Sequence, residues 1–282
     1  MSKKRIFTFW EPRKNIHGYI SLCMRTWKIF HPDYEVVVLD WQNLDRYLTP
    51  NEIGAVLCKE MTLAMQSDCL RCAILLKYGG IWMDADTILT HRIDTLLNRE
   101  GCLFIGRQEV GRRMNHGAFI VANAPGSQFL LSWYSSLLPR ICEARRYHLN
   151  PLLRVFCRSK WRKIRRWDYC MNAIIDPLCN EQGERLGYQF VDKDDIGAMP
   201  EFRLRRNPRF AALSAAQLYR KYWFEKPEAE AEGGSGGVVL LHNSWTPKSF
   251  RDMSEDEFLS CNVRMACLLR QILKANVKVV RT

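Results

Sequence analysis

Apolar residues gather in short blocks along the chain. Ile6-Phe7-Thr8-Phe9-Trp10, Val36-Val37-Val38-Leu39 and Ile81-Trp82-Met83 are three of them, and Cys102 to Gly106, Ala118 to Ala122, Tyr188 to Val191 and Val238 to Leu241 are others. Blocks of this length, rich in β-branched and aromatic residues and bounded by turn formers, predict buried strands. Between them the spacing is helical. A helix is predicted from His17 to Phe30, broken by His31-Pro32, and another starts at Thr49-Pro50. Leu63, Leu70, Ala73, Ile74 and Lys77 recur at three-and-four spacing, which predicts an amphipathic helix stopped by Gly79-Gly80. Further helices are predicted from Ala124-Pro125-Gly126 to about Leu138 and from Asp168 to Asp176, ending at Pro177. A closing helix from Ser254 to Lys274 opens on a Ser254/Glu257 capping box and buries Met265, Leu268, Leu269 and Ile272. Strand, helix, strand is the opening of an α/β protein with a central, mostly parallel sheet flanked by helices. In such sheets ligands bind beyond the carboxyl ends of the strands, an edge that would carry Trp10, Asp40, Asp84 and Asp86.

The chain has 282 residues, enough for a sizeable core, with 47% hydrophobic and 11% aromatic residues, which excludes wholesale disorder. We read it as one domain: residues 1–130 form a ligand-binding half, 131–237 a basic helical region, and 238–282 a segment returning to the site. Pro227 to Gly237 is a low-complexity run, expected to be a flexible loop within that domain. Eleven cysteines lack paired metal spacing, which favours free thiols in a reducing cytoplasm over zinc or disulfides. The apolar run after Met1-Ser2-Lys3-Lys4-Arg5 is too short for a signal peptide, and no run approaches a membrane span.

Chemistry concentrates between Ser67 and Asp86. Asp84 and Asp86 follow an apolar strand and, in an extended chain, would point the same way. Two converging carboxylates repel, and a divalent cation is the usual reason to tolerate them. Asp68 and Arg71, three apart on the preceding helix, share a face. An acid pair beside an Arg–Asp face suits a phosphate-bearing ligand.

Ser67-Asp68-x-x-Arg71, then a helix, Gly79-Gly80-Ile81-Trp82, then Asp84-x-Asp86 resembles the sugar-nucleotide signature of glycosyltransferase family 32, and more distantly that of the clostridial glucosylating toxins. The resemblance spans Ile6 to about Leu130 and returns at Val238 to Trp245. It implies a GT-A type Rossmann-like fold and a retaining hexosyltransferase. The donor would be a nucleoside-diphosphate sugar, uridine diphosphate favoured, and the acceptor a glycan or lipid-linked glycan of bacterial surface or capsule polysaccharide. It implies roles for Ser67, Asp68 and Arg71 at the donor, and a metal site of Asp84, Asp86 and His242. Imidazole suits manganese better than magnesium, though either would serve. Trp10 matches a base-stacking position or is a core tryptophan. Asn115 and His116 face the sugar or are turn residues. His242 with Ser244-Trp245 matches a late element of the family, Trp245 covering the diphosphate or packing in the core. Front-face attack is implied, with no enzyme nucleophile.

Arg140 to Arg166 carries ten basic residues against Glu143 alone, with Tyr147, Phe156, Trp161 and Trp167 interleaved. Together with a net charge of +12, this fits an anionic membrane surface better than nucleic acid, and the enzyme would lie in the cytoplasm, peripheral to the inner face of the membrane. Two other functions compete. The acceptor could be a protein. Alternatively, Asp84-Ala85-Asp86-Thr87 fits the loop of haloacid-dehalogenase-like phosphatases, with Asp84 phosphorylated and Asp86 as acid; that chemistry needs a later lysine.

Overall fold

The computed structural model describes residues 4–226 and 236–279. Residues 227–235 of the predicted loop lie outside the described residues, as do 1–3. The strands are β1 Arg5–Phe9, β2 Glu35–Leu39, β3 Gly80–Met83, β4 Thr87–Leu89, β5 Cys102–Glu109, β6 Arg112–Ala122, β7 Tyr188–Asp192 and β8 Val238–Leu240. The helices run α1 Gly18–Phe30, α2 Pro50–Val56, α3 Leu63–Tyr78, α4 Asp94–Leu97, α5 Gln128–Leu149 and α6 Pro151–Phe156. They continue with α7 Arg158–Ile164, α8 Asn172–Gln182, α9 Ala215–Phe224, α10 Lys248–Arg251, α11 Glu255–Ser260 and α12 Arg264–Val279.

Six strands form one sheet in the order β2-β1-β3-β6-β5-β7, and only β6 runs against the others. It is the mostly parallel, helix-flanked α/β sheet that the sequence predicts. Alternate residues of each strand point to opposite faces. Phe7, Trp82, Phe104 and Ile120 pack with α3, α5 and α8 on one side. Ile6, Ile81, Leu103 and Val121 pack with Trp27, Leu89 and Leu240 on the other. There β4 and β8 form a small antiparallel sheet of their own. A third cluster joins α1 to α9, α11 and α12 through Tyr19, Trp223, Phe258 and Leu269.

Helix α3 is buried from Met65 to Leu75 apart from Ser67, so it is a central helix rather than an amphipathic surface one. Thr62 caps its start, and Gly79 ends it at φ 63°. A Cβ at Gly79 would meet the Ala122 carbonyl at 2.9 Å, so glycine is required twice over.

Several predicted boundaries move. Helix α5 runs through Pro139 to Leu149, because Trp133, Leu137, Ile141 and Ala144 keep one buried face past the proline. Helix α8 begins later than expected and contains Pro177. A proline leaves the carbonyl four residues back without its helical donor; here that carbonyl, Ala173, accepts from Arg140 Nη2 at 3.0 Å. The predicted closing helix is two helices. The capping box at Ser254 and Glu257 starts α11, and Arg270, reaching back from α12, donates to the Leu259 and Cys261 carbonyls where α11 stops. Among the described residues, no helix is long and apolar enough to cross a membrane.

Candidate active site

Asp84 and Asp86 leave the carboxyl end of β3 in a tight turn rather than in extended chain: the Thr87 amide donates to the Asp84 carbonyl at 2.9 Å. The two carboxylates are therefore aimed by different partners, which corrects the expectation that strand geometry aligns them. Asp84 Oδ1 accepts from Trp82 Nε1 at 3.0 Å and from Arg71 Nη2 at 3.1 Å. Asp86 Oδ2 accepts the Asn243 backbone amide at 2.7 Å. That contact follows from register. Leu240 of β8 pairs antiparallel with Thr87 of β4, so the residues after β8 run back alongside the acid pair. Tyr19 of α1 donates its hydroxyl to the Asn243 side-chain oxygen and holds this returning turn.

Arg71 is 4% exposed and organises the other side of the turn. Its Nη2 lies 3.2 Å from Asp68 Oδ1 and donates to Ser67 Oγ at 3.1 Å, and its Nη1 donates to the Gly117 carbonyl. A Cβ at Gly117 would come within 2.2 Å of Arg71 Nη1 and 2.1 Å of Met171 Sδ, so only glycine lets the guanidinium through. Burial pushes the Asp68 carboxyl up to about 7; Arg71 opposes that shift and Asp84 adds to it. Asp86 is also raised to about 7, by burial first and the Asp84 charge second. A cation between the two would relieve that repulsion.

His242 follows β8, and its Nε2 is buried with no protein partner. Burial depresses the imidazole to about 3, and His116, with its ring 5.6 Å away, is depressed to about 4. Both rings are neutral at pH 7, the form that coordinates metal. Among the described residues no three acidic, imidazole or thiol side chains form a ready-made metal cluster. The donor set nonetheless fits a divalent cation: two repelling carboxylates and an orphaned, neutral imidazole nitrogen face one cavity.

That cavity, of about 850 Å³, is lined by Trp10, Ser67, Asp68, Arg71, Asp84, Asp86, Asn115, His116, His242, Ser244 and Trp245, so it gathers nearly every residue singled out in the sequence. Asp40 is the exception. It is buried past β2, where Oδ1 accepts the Gln42 and Asn43 amides at 2.9 Å, and it shapes the loop outside the cavity. Asn115 lines the cavity but its amide is committed inward. It donates to Asp176 Oδ1 at 2.9 Å and accepts from Tyr188 Oη at 2.6 Å, so it serves as a strut rather than a donor contact. Nor do Asn115 and His116 lie in a turn. They belong to β6, where the pairing with β5 jumps from Ile120 opposite Phe104 to His116 opposite Ile105, and this irregularity re-aims both residues. Trp245 packs its ring 3.9 Å from that of His242, tilted by 38°, and Trp10 stands edge-on to His17 at 5.6 Å. Asn243, Gly117, Met171 and Trp167 also line it, without any sequence motif to announce them; Trp167, 72% exposed, stands at the mouth. Among the described residues that line the cavity there is no lysine, the residue type the phosphatase reading needs.

Residues 1–140 match the family model described as "Capsular polysaccharide synthesis protein", a match that contains the whole Ser67 to Asp86 signature. It agrees with the resemblance to surface-glycan transferases, without specifying family 32. No curated protein matches the chain. Among solved structures the chain is similar to PaToxG glycosyltransferase, at 16% identity and a TM-score of 0.41, covering 76% of this chain and 81% of that one. It is also similar to galactosyltransferase LgtC, solved with donor and acceptor sugar analogues, at 11% identity and a TM-score of 0.40, covering 93% and 95%. A third is the glycosyltransferase GlyE of Streptococcus pneumoniae TIGR4, at 9% identity and a TM-score of 0.46; the alignment takes in 98% of this chain and 64% of GlyE.

Proposed function

We propose that this chain is a GT-A type, retaining glycosyltransferase of bacterial capsule or surface-polysaccharide synthesis. It would move a hexose from a nucleoside-diphosphate sugar, uridine diphosphate favoured, to a glycan acceptor on the cytoplasmic side of the membrane. One observation carries the reading: the acid pair at the end of β3, with its Arg71 and Asn243 supports, opens into a cavity of about 850 Å³ lined by Trp10, Trp167 and Trp245. The volume lies within the range of small-ligand sites. The match of residues 1–140 to a capsule-synthesis family supports the same class.

Each residue then has a task. Trp10 offers a ring for the base. Asp84, Asp86 and His242 Nε2 would hold manganese or magnesium. When bound, that cation supplies Lewis-acid stabilisation of the departing diphosphate. Asp68, fixed by Arg71, accepts hydrogen bonds from donor-sugar hydroxyls. Arg71 has no group to spare for the phosphate, since Ser67, Asp68, Asp84 and Gly117 use its guanidinium; its role is to position Asp68 and Asp84. Trp245 covers the diphosphate from the His242 side. Front-face attack needs no enzyme nucleophile, so positioning and electrostatics carry the rate.

Titration calorimetry with uridine diphosphate, with and without manganese, tests the reading. Manganese-dependent binding that Asp86→Ala loses supports it. Binding of guanosine diphosphate instead would move the donor to a mannosyl or fucosyl nucleotide. Absence of metal-dependent binding to either nucleotide would sink it.

A further inference from the structure

A cluster of exposed apolar side chains lies outside the cavity lining. Leu149, Leu152, Val155 and Phe156 are 70%, 65%, 55% and 80% exposed, all within eight residues at the end of α5 and along α6. Leu152, Val155 and Phe156 are spaced three and one apart, so they share a helix face, while Leu153 turns the other way and packs against the core. The projection is firmly built. Pro151 opens α6, Asn150 caps it through the Leu152 amide at 3.0 Å, and Arg154 Nε donates to the Tyr147 carbonyl at 2.8 Å. A rigid tip that leaves four large apolar groups in water is an interaction surface.

Its charge identifies the partner. Of the ten basic residues between 140 and 166, half are engaged by the protein itself. Arg140, Arg145 and Arg154 donate to backbone carbonyls, and Lys160 and Arg166 pair with Glu143 and Asp168. Arg146, Arg158, Arg162, Lys163 and Arg165 remain exposed without a carboxylate partner among the described residues. The geometry points to a membrane-docking surface: the α6 tip inserts Leu149, Leu152, Val155 and Phe156 among acyl chains while these cations meet anionic lipid headgroups. Three of the four tip side chains, Leu149, Leu152 and Val155, are branched aliphatics with no flat face for a base, which favours a bilayer over nucleic acid. Helix α7, about 10 Å long, leads from this tip towards Trp167 at the cavity mouth. Docking would hold that mouth near the lipid surface, where a lipid-linked glycan would present its sugar. The surface itself does not depend on the transferase reading, and it is tested without donor.

The experiment is co-sedimentation of the whole chain with vesicles of phosphatidylcholine alone and of phosphatidylcholine mixed with phosphatidylglycerol. The expected result is sedimentation only with the mixed vesicles. The triple variant Arg158→Glu, Arg162→Glu, Lys163→Glu should weaken it by roughly a hundredfold. The pair Leu152→Ser, Phe156→Ser should weaken it roughly tenfold or more. All these positions are exposed, so melting temperature and manganese-dependent uridine diphosphate binding should stay at wild-type values. Absence of sedimentation by the wild-type chain overturns the proposal. So does salt-sensitive retention on single-stranded RNA with vesicles ignored, or a solution dimer that Phe156→Ser splits without any vesicle binding.

Discussion

Arg71 is a buried cation whose surroundings only a planar fork can satisfy. One nitrogen serves Ser67, Asp68 and Asp84 and the other the Gly117 carbonyl, all inside a wall closed by Trp82, whose ring centroid lies 5.3 Å from the guanidinium carbon. Lysine would keep the charge but reach fewer of these acceptors, because its ammonium is a compact point donor. Arg71→Lys should therefore lower stability by about 1–3 kcal/mol through unpaired buried acceptors. It should also weaken manganese-dependent uridine diphosphate binding at least about tenfold, since Asp84 loses its second fixed donor and a factor of ten is only about 1.4 kcal/mol. Calorimetry beside a melting curve checks both; wild-type values in both would mean that charge alone suffices. The sequence exposes the local part of this arrangement, because Asp68, Arg71, Asp84 and Asp86 lie within 19 positions and their spacing has a geometric meaning. Gly117 stands 46 positions from Arg71 and Asn243 157 from Asp86, and nothing in a periodic pattern connects them. Asn115 misleads for the same reason: its partners Asp176 and Tyr188 come from elements that only the fold brings near.

At the scale of elements, the site is where two sheets and one helix meet. The six-stranded sheet delivers Asp84, the β4–β8 pair delivers Asp86 and Asn243, and α1 clamps the second to the first. Two contacts make the clamp: Trp27 Nε1 donates to the Thr87 carbonyl at 2.7 Å, and Tyr19 donates to the Asn243 side chain. Removing the tyrosine hydroxyl leaves Asn243 Oδ1 without its donor and loosens the turn that presents an amide to Asp86. Tyr19→Phe should cost about 1 kcal/mol in stability. It should also weaken metal-dependent diphosphate binding several-fold while leaving metal-free nucleotide binding as it was. Titrations with and without manganese separate that outcome from a general loss of packing, which would lower both. The strands of the main sheet are legible because each is a compact apolar block bounded by turn residues. Helix ends are less so, because tertiary partners decide them. Pro177 sits inside α8 since Arg140, from another helix, takes the carbonyl it orphans, and the break between α11 and α12 is capped by an arginine nine positions beyond Cys261. Ends marked in local sequence could be read directly: the start at Thr49-Pro50, the Ser254/Glu257 box, and the stops at His31-Pro32 and Gly79-Gly80.

For the whole molecule, the buried acids couple folding to pH. Glu201 lies away from the cavity lining, fully buried, with one carboxylate oxygen accepting from Trp223 Nε1 at 3.2 Å and the other without a partner. Burial raises its carboxyl from 4.5 to about 7, against weaker opposing help from its own backbone, Trp223 and Lys193. The native state therefore holds a proton that the unfolded chain releases near pH 4.5. The contribution to stability is whole below pH 4.5 and is lost as pH rises through about 7. A shift of that size corresponds to about 3 kcal/mol. Asp68 and Asp86 are raised to about 7 as well and slope the wild-type curve the same way, so the curve alone does not isolate Glu201. The difference from Glu201→Gln does, since glutamine keeps an oxygen for the Trp223 indole and never ionises. Urea unfolding across pH should show the variant matching wild type at pH 4 and exceeding it by about 1–3 kcal/mol at pH 8. Parallel curves at every pH would mean that Glu201 ionises freely in the folded protein, and that the tie between the 200–206 segment and α9 is not the proton-linked contact its burial implies.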